Sequence, residues 1–218
     1  MEKFQEKGAF REKEDFLGTG IRASAAVLVG GQSRRMGLNK AFLKIGPDRL
    51  IKNITAKLKT LFPEVLLAGN DPEPYGSLGL PVVSDVYRGC GPLAGIHAAL
   101  TAAANPYVFI TACDMPFVDL DLVAFLVKNA PGYDVAVPRL GAYLEPLCTV
   151  YGKGCLPAIE ASLNKGQYKV TAFFPEVAVK YFDREELSRF NLDRIFFNLN
   201  SPKDLKKAIE LGNSSAQL

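Results

Sequence analysis

Apolar and polar residues follow two different spacings along this chain, and the two spacings alternate. Short continuous apolar runs, each closed by a turn-like or polar cluster, are typical of strands buried on both faces. Such runs occupy residues 24–29, 64–68 and 107–113. The longer segments between them suit helices, and residues 49–62 place leucine and isoleucine on one side with lysines on the other. The other two predicted helices cover residues 92–104 and 119–129.

This alternation predicts βαβ units, because parallel neighbouring strands need a crossover connection. We therefore predict an α/β fold, in which a single Rossmann-like domain has a mainly parallel, mixed sheet with helices on both faces. The remaining elements are shorter or less regular. Strands are predicted at residues 81–84, 133–138, 147–151 and 177–182, and helices at 155–164 and 202–211.

One globular unit is predicted within the 218 residues. Residues 1–22 alternate charged residues with isolated Phe and Leu, which predicts an N-terminal extension outside the fold. Residues 23–212 form the predicted domain, and residues 213–218 form a polar tail. No internal repeat or low-complexity linker divides the domain further.

Composition excludes several classes of function. A net charge of +3 is too small to indicate binding to nucleic acid or to a membrane surface. No apolar run approaches the roughly 20 residues that span a bilayer. Four cysteines without CxxC spacing indicate free thiols in a reducing compartment, so we expect a cytoplasmic protein. The single histidine, His97, excludes a His-rich zinc site, and its apolar surroundings favour a structural role.

A glycine pair follows the first predicted strand and opens a basic loop. Gly30 and Gly31 leave the backbone amides accessible, and successive amides in such a turn bind anions. Arg34, Arg35 and Lys40 follow, and guanidinium forks combined with a mobile ammonium suit a triphosphate. The Walker A and GxGxxG motifs are both absent. On the glycines alone, an ordinary turn beside a solvated basic face is the alternative interpretation.

Two acidic residues follow other predicted strands, at the edge where open parallel sheets bind ligands. Asp114 comes directly after the strand at 107–113, and one such carboxylate commonly anchors Mg²⁺ together with water and phosphate oxygens. A helix-capping role is the alternative, but Asp119 is better placed to cap the next helix. Asp85 ends the strand at 81–84 before a glycine-rich turn, where a carboxylate is able to accept hydrogen bonds from a base or a ribose.

Together these segments resemble the molybdenum cofactor guanylyltransferase family. The matching pieces are LVGGQSRRMGLNKA, SDV followed by GPLAGI, CDMPF and the late FNLNSPKDL, in the family's order and at similar spacing. The resemblance covers about residues 24–210. It implies a nucleotidyltransferase that transfers GMP from Mg-GTP to molybdenum-molybdopterin, giving molybdopterin guanine dinucleotide and pyrophosphate. Other cofactor-biosynthesis proteins or apo-molybdoenzymes are the further partners that it implies.

The resemblance also assigns roles to individual residues. The implied GTP-binding residues are Leu28, Val29 and Gly30 through their backbone, Asn70 and Asp85 at the base or ribose, Lys40 at the phosphates, and Asp114. Asp114 is also the implied Mg²⁺ ligand. The implied catalytic residues are Lys40, Asp114 and Arg35, with Arg35 and Lys40 stabilising charge on the leaving pyrophosphate. Gly37 and Asn200 fall on further motif positions.

Several alternatives stay open at the level of sequence. Val29 departs from the commoner LAGG form, although a role made through backbone atoms survives that change. Related cytidylyl enzymes tend to carry LAAG and to lack GPLAGI, which favours GTP over CTP here. The competing functions are a CTP-dependent sister enzyme, a guanylyltransferase for another phosphorylated acceptor, and a non-catalytic nucleotide-binding regulator. Arg139 and Glu145 are candidates for contacting the pterin, and a β-hairpin with solvated charges is the alternative for that segment.

Overall fold

The computed structural model describes residues 16, 19–30, 40–46 and 48–214. Its strands are β1 (Ala23–Leu28), β2 (Lys44–Ile45), β3 (Asp48–Arg49), β4 (Val65–Ala68), β5 (Val82–Val83), β6 (Tyr107–Ala112), β7 (Val135–Leu140), β8 (Tyr143–Leu144), β9 (Cys148–Gly152) and β10 (Val179–Asp183). Its α-helices are α1 (Leu50–Leu61), α2 (Pro92–Ala102), α3 (Leu120–Lys128), α4 (Leu156–Asn164), α5 (Leu192–Ile195) and α6 (Pro202–Ser214). Short 3-10 helices lie at Lys40–Phe42, Glu73–Leu78, Lys153–Cys155 and Phe174–Glu176.

A mixed sheet of eight strands runs through the domain in the order β10-β7-β9-β6-β1-β4-β5, with β8 added at β7. β1 is parallel to both of its neighbours, so that Ala26 lies opposite Leu66 of β4 and Ile110 of β6. β9 runs antiparallel to β6 and to β7, whereas β10 is parallel to β7. β2 and β3 form a separate antiparallel pair. The predicted mixed, mainly parallel sheet is confirmed.

Alternate residues of the central strands enter two apolar clusters, one on each face of the sheet. Val27 packs in a cluster with Ile54 of α1 and with residues of α3. Ala26, its neighbour, packs in the second cluster with Ile96 of α2 and with residues of α4. Because successive side chains of a strand point to opposite faces, helices cover both faces of the sheet, as the sequence predicts.

Local sequence explains where the two helices near the sheet's carboxyl edge begin. Gly91 has a φ of 69°, a left-handed conformation that favours glycine, and Pro92 follows as the first residue of α2. Asp119 precedes α3, and its Oδ1 accepts a hydrogen bond of 2.9 Å from the N–H of Leu122. The predicted capping role of Asp119 is confirmed, which leaves Asp114 without that structural duty.

The main strands and helices of the sequence pattern are all present, with ends that differ by at most three residues. The elements that the pattern missed are β2, β3, β8 and α5, each two to four residues long. Segments this short contain no full period of apolar spacing, so their formation depends on contacts with the rest of the chain.

The cysteines, the helices and the single histidine bear on the expectations from composition. All four cysteines are free, and three of them are buried. None of the helices in the described segments is both long and apolar enough to span a membrane. His97 is only 5% exposed, and its Nε2 lies 3.1 Å from Glu160 Oε1, in keeping with a structural role.

Phe16, within the predicted N-terminal extension, lies in the core. Its side chain has no exposed surface, and its ring centroid lies 5.0 Å from that of Phe62, which itself lies 6.2 Å from Phe109 of β6. The N–H of Phe16 donates to the carbonyl of Ile21 over 2.6 Å, which brings the chain back toward β1. The division at residue 22 stays a prediction, but the expectation of an extension outside the fold needs a correction at Phe16.

Replacing Phe16 by Ala should therefore lower the free energy of unfolding by about 3 kcal/mol, because a buried aromatic ring is removed from the core. Tyr143→Ala is the matched control, since Tyr143 is 77% exposed and its truncation leaves no cavity. Urea denaturation of both variants measures the difference. Equal stability of the two variants would show that Phe16 contributes nothing to the fold.

Candidate active site

The carboxyl ends of β1, β4, β5 and β6 lie side by side, because these strands are parallel neighbours. Leu28 is the last residue of β1, and its carbonyl accepts a hydrogen bond of 3.1 Å from the N–H of Cys113. The next residue, Val29, donates its N–H to the carbonyl of Ala68 over 2.8 Å. These bonds place the start of the predicted nucleotide loop, at Val29 and Gly30, in the middle of the edge, next to Asp114.

The backbone at Val29 is approached closely by Gly69, which follows β4. A Cβ on Gly69 would lie 1.9 Å from the carbonyl oxygen of Val29, so only glycine fits at this position. The Val29 side chain itself is 2% exposed and packs in the core, whereas Gly30 is exposed. In the sequence, Gly69 is a glycine immediately after a buried strand. That position was the available signal for a close approach between two loops, and the sequence analysis did not use it.

Lys40, Asp114 and Asn200 meet at the same edge, although they are far apart in sequence. The Lys40 Nζ lies 3.1 Å from Asp114 Oδ2 and 3.1 Å from Asn200 Oδ1. The side chains of Lys40 and Asp114 are 15% and 25% exposed, so the ion pair is partly shielded from water and still open to a ligand. The structure thus brings two predicted catalytic residues and one further motif position into direct contact.

The segment between α5 and α6 delivers Asn200 to this cluster. Leu199 is fully buried, and its N–H donates to the carbonyl of Asp114 over 2.9 Å. Asp204 accepts hydrogen bonds from the Ser201 hydroxyl (2.9 Å) and from the N–H of Asn200 (3.0 Å). These hydrogen bonds lower the pKa of the Asp204 carboxyl, and the bond from the Ser201 hydroxyl contributes most. The backbone on both sides of Asn200 is therefore fixed independently of Lys40.

Asn70 and Asp85 form a second polar pair beyond β4 and β5. Asn70 Nδ2 donates to Asp85 Oδ2 over 2.9 Å, and the N–H of Asp85 donates back to Asn70 Oδ1 over 2.9 Å. The other carboxylate oxygen, Asp85 Oδ1, is buried and has no hydrogen-bond partner among the described residues. A Cβ on Gly95 would lie 3.3 Å from Leu28 and 3.8 Å from Asp85 Oδ1, so this pair adjoins the β1 loop.

An unpaired carboxylate oxygen inside a protein is costly, because it has lost water without gaining a donor. Asp85 Oδ1 is therefore a candidate acceptor for an N–H or O–H group of a ligand. The structure brings Leu28, Gly95 and this oxygen together. Arg35 and Gly37, which the sequence also assigns to the site, lie outside the described residues, as do Gly31 and Arg34.

The oxygen donors at the Lys40 cluster fit a magnesium ion. Mg²⁺ prefers one or two protein oxygen ligands and completes its octahedron with water and phosphate oxygens. Asp114 offers a carboxylate oxygen and Asn200 an amide oxygen. The Lys40 ammonium lies within hydrogen-bond distance of both oxygens. Within the described segments, no group of three or more His, Cys, Asp or Glu side chains is arranged to hold a metal. These residues suit a metal ion that also has phosphate ligands.

Cys113 and His97, two side chains of types that often act in catalysis, are both buried. Burial raises the pKa of the Cys113 thiol to about 12, and the negative charge of Asp114 contributes to the shift. The thiol therefore stays protonated at neutral pH. His97 is buried beside Glu160 and Tyr87. Neither group is placed as a nucleophile or a general base, and the arrangement instead suits chemistry that depends on positioning and charge.

Arg139 lies in the hairpin of β7 and β8, opposite Leu144. Its Nε and Nη2 donate to Asp183 Oδ1 and Oδ2 over 2.7 and 2.8 Å, and this pairing lowers the pKa of the Asp183 carboxyl. The guanidinium carbon also lies 4.8 Å from the ring centroid of Tyr181. Burial raises the pKa of Glu145. The segment forms the β-hairpin of the alternative interpretation, but the Arg139 charge is paired with Asp183 and not merely solvated. Contact of Arg139 or Glu145 with the pterin stays a prediction.

Residues 25–179 match the MobA-like NTP transferase domain. The chain belongs to this family. A probable molybdenum cofactor guanylyltransferase of Pelotomaculum thermopropionicum is 44% identical over 196 residues, which are 89% of this chain and 96% of the relative. Another, of Carboxydothermus hydrogenoformans, is 40% identical over 190 residues, 86% of this chain and 95% of the relative.

A solved structure agrees with this family membership. The crystal structure of molybdopterin-guanine dinucleotide biosynthesis protein A from Archaeoglobus fulgidus has a TM-score of 0.77 and 30% identity, and the match covers 88% of this chain and 99% of that one. The resemblance stated from the sequence motifs and the predicted single nucleotidyltransferase fold are both confirmed. As a member of the MobA-like family, the chain is a nucleotidyltransferase.

Substituting Gly69 by Ala tests the close approach between the loops after β1 and β4. The added methyl group would overlap the Val29 carbonyl, so the variant should lose about 2 kcal/mol or more of stability and should bind GTP more weakly. Gly76→Ala is the matched control, because a Cβ there meets no atom within 4 Å. Thermal melts and equilibrium GTP binding report the two effects. A Gly69→Ala variant indistinguishable from the control would contradict the observed approach.

Proposed function

We propose that this chain transfers GMP from Mg-GTP to molybdenum-molybdopterin, giving molybdopterin guanine dinucleotide and pyrophosphate. The observation that carries the proposal is the meeting of Lys40, Asp114 and Asn200 beside the loop that follows β1. This cluster supplies a cation for phosphate oxygens and two oxygen donors for a metal, at the edge where α/β sheets bind ligands. Relatives named for this activity match nearly the full length of the domain.

The nucleoside would lie between the β1 loop and the Asn70–Asp85 pair. Leu28, Val29 and Gly30 contribute backbone atoms, since the Val29 side chain is turned into the core. Asp85 Oδ1 would accept a hydrogen bond from the base or from a ribose hydroxyl, which gives the buried oxygen the donor that it lacks among the described residues. Asn70 orients Asp85 through their two mutual hydrogen bonds.

The triphosphate would extend from this position toward the Lys40 cluster. Lys40 contacts the phosphates, and Arg35 joins it in stabilising negative charge on the leaving pyrophosphate. Asp114 and the Asn200 amide oxygen hold Mg²⁺, which when bound supplies Lewis-acid charge to the phosphate oxygens and helps to align them. Both protein ligands sit on fixed backbone, because the N–H of Leu199 is bound to the carbonyl of Asp114.

The reaction is an in-line displacement at phosphorus. The terminal phosphate of the acceptor forms a bond to the α-phosphorus of GTP, and the bond from that phosphorus to the bridging oxygen of pyrophosphate breaks. A phosphate nucleophile is already ionised near neutral pH, so no general base is required. The buried positions of His97 and Cys113 agree with this, because neither is needed to move a proton. Positioning and charge stabilisation therefore supply the catalysis.

The pterin of the acceptor would lie beside the β7–β8 hairpin. Arg139 and Glu145 stay candidates for the pterin, although the Arg139 guanidinium already has a carboxylate partner in Asp183. Transfer of the finished dinucleotide to other cofactor-biosynthesis proteins or to apo-molybdoenzymes, in the cytoplasm, completes the proposal.

Pyrophosphate release with purified molybdenum-molybdopterin tests the function directly. GTP should support release at least roughly a hundredfold faster than CTP or ATP, because a site that hydrogen-bonds one base leaves polar groups unpaired with another. Mass spectrometry of the product should show the guanine dinucleotide, and omission of the acceptor is the control.

The other outcomes identify the competing functions. Equal rates with CTP and GTP would overturn the guanylyl assignment, and a clear preference for CTP would indicate a sister cytidylyl enzyme. Release that requires a different phosphorylated acceptor would replace molybdopterin as the substrate. Tight GTP binding without any pyrophosphate release would indicate a nucleotide-binding regulator.

Asp114→Asn should leave the fold intact and lower turnover by roughly a hundredfold or more, since the metal loses its charged anchor and with it a few kcal/mol of transition-state stabilisation. Steady-state pyrophosphate release at saturating Mg-GTP is the measurement, with circular dichroism to verify folding. Asp121→Asn, an exposed acidic residue in the first turn of α3, is the control for loss of one negative charge. A folded Asp114→Asn variant that turns over at the wild-type rate would contradict the assignment of Asp114 as the Mg²⁺ ligand.

A further inference from the structure

The Lys40 ammonium occupies the position between the two oxygens that suit a metal ion. Its Nζ is 3.1 Å from Asp114 Oδ2 and 3.1 Å from Asn200 Oδ1, which are hydrogen-bond distances to both. With 15% of the Lys40 side chain exposed, the contact is shielded well enough to be more than a transient surface pair. The free protein thus holds a cation of its own at this point.

A divalent metal ion that binds Asp114 and Asn200 needs the same oxygen lone pairs. Two cations a few ångströms apart repel each other strongly in a partly shielded site. Metal binding and the Lys40 contact therefore exclude one another. Within the described residues, Asp114 belongs to no group of three or more His, Cys, Asp or Glu side chains that would favour the metal over the lysine.

The surroundings allow the lysine to leave while the oxygens remain in place. Lysine is a point charge on a flexible stem, and Lys40 begins the short 3-10 helix that ends at Phe42. The Asn200 oxygen is held by a different set of bonds, through Leu199 to the Asp114 carbonyl and through Asp204 to the Asn200 N–H. Withdrawal of the ammonium would thus expose a ready-made pair of metal ligands.

We propose that Lys40 is a resident counter-cation that keeps the metal site closed until a triphosphate draws its ammonium away. The inference rests on the proposed function and deepens it, because it makes metal loading dependent on the nucleotide. Phosphate oxygens give Lys40 a stronger partner and at the same moment supply the remaining metal ligands. Metal and triphosphate then enter together, and the free protein binds divalent ions poorly.

Binding of Mn²⁺ alone, without nucleotide, tests the proposal and does not depend on activity. Electron paramagnetic resonance of free Mn²⁺ measures the dissociation constant for wild type and for Lys40→Met. If Lys40 occupies the site most of the time, its removal should tighten Mn²⁺ binding by about fivefold to tenfold, because the competent fraction rises toward one. Lys59→Met, at an exposed position on α1, removes the same charge elsewhere and should change nothing.

Two further variants make the result decisive. Lys40→Met combined with Asp114→Asn should lose the gain, which assigns the new affinity to Asp114. Lys40→Gln serves where Lys40→Met fails to fold, as judged by its melting curve. Mn²⁺ binding that is unchanged, or absent, in the folded Lys40 variants would overturn the inference even if wild type transfers GMP. A wild type inactive with GTP and molybdopterin would overturn the proposed function, and the Mn²⁺ titration would still decide on Lys40.

Discussion

The central position of β1 sets the position of every group at the candidate site. The strand is paired along both edges, with β4 and β6, and its residues are buried on both faces. The loop that follows is bound to Ala68 through the Val29 N–H and to Cys113 through the Leu28 carbonyl. Protein interiors are close-packed and transmit strain, so Val29, at the start of that loop, has little freedom to move. The missing side chain at Gly69 shows how little space is left.

Among the described residues, the polar side chains of this site are incompletely satisfied. Asp85 Oδ1 is buried without a donor from the described residues, and Asp114 shares one ammonium with the Asn200 amide. Folded proteins usually satisfy buried polar atoms, and exceptions concentrate at functional sites. The cost is carried by the surrounding packing, and a ligand with N–H donors at one end and phosphates at the other matches both deficits.

The reaction proposed for this site requires neither a histidine base nor a cysteine nucleophile. Phosphoryl-type transfer to an ionised phosphate needs alignment and positive charge more than proton transfer. His97 and Cys113 are accordingly buried in the fold, and burial raises the pKa of the Cys113 thiol, which keeps it protonated. In the mechanism that we propose, Lys40 and Asp114 would carry the catalysis, so the hydrogen bonds that hold Asn200 beside them would matter as much as the side chains that face the substrate.

The sequence by itself determined the main elements and the family, and it supplied the candidate nucleotide-binding residues. Burial on both faces makes β1, β4 and β6 visible as apolar runs, and local capping chemistry identifies Asp119. Motif residues such as Lys40 and Asp114 carry the family resemblance directly. Short elements such as β8 were missed because two residues show no period.

The tertiary structure alone decided the contacts between distant residues. Asn200 accepts a hydrogen bond from Lys40, which lies 160 positions earlier in the chain. Asp183 pairs with Arg139 across 44 positions. Phe16 packs on Phe62, although its own segment has no continuous apolar face. Each of these depends on strand order and register, including the antiparallel β9 between β6 and β7. Local spacing reports which face of an element is buried, whereas the partner on that face is chosen only when the whole sheet assembles.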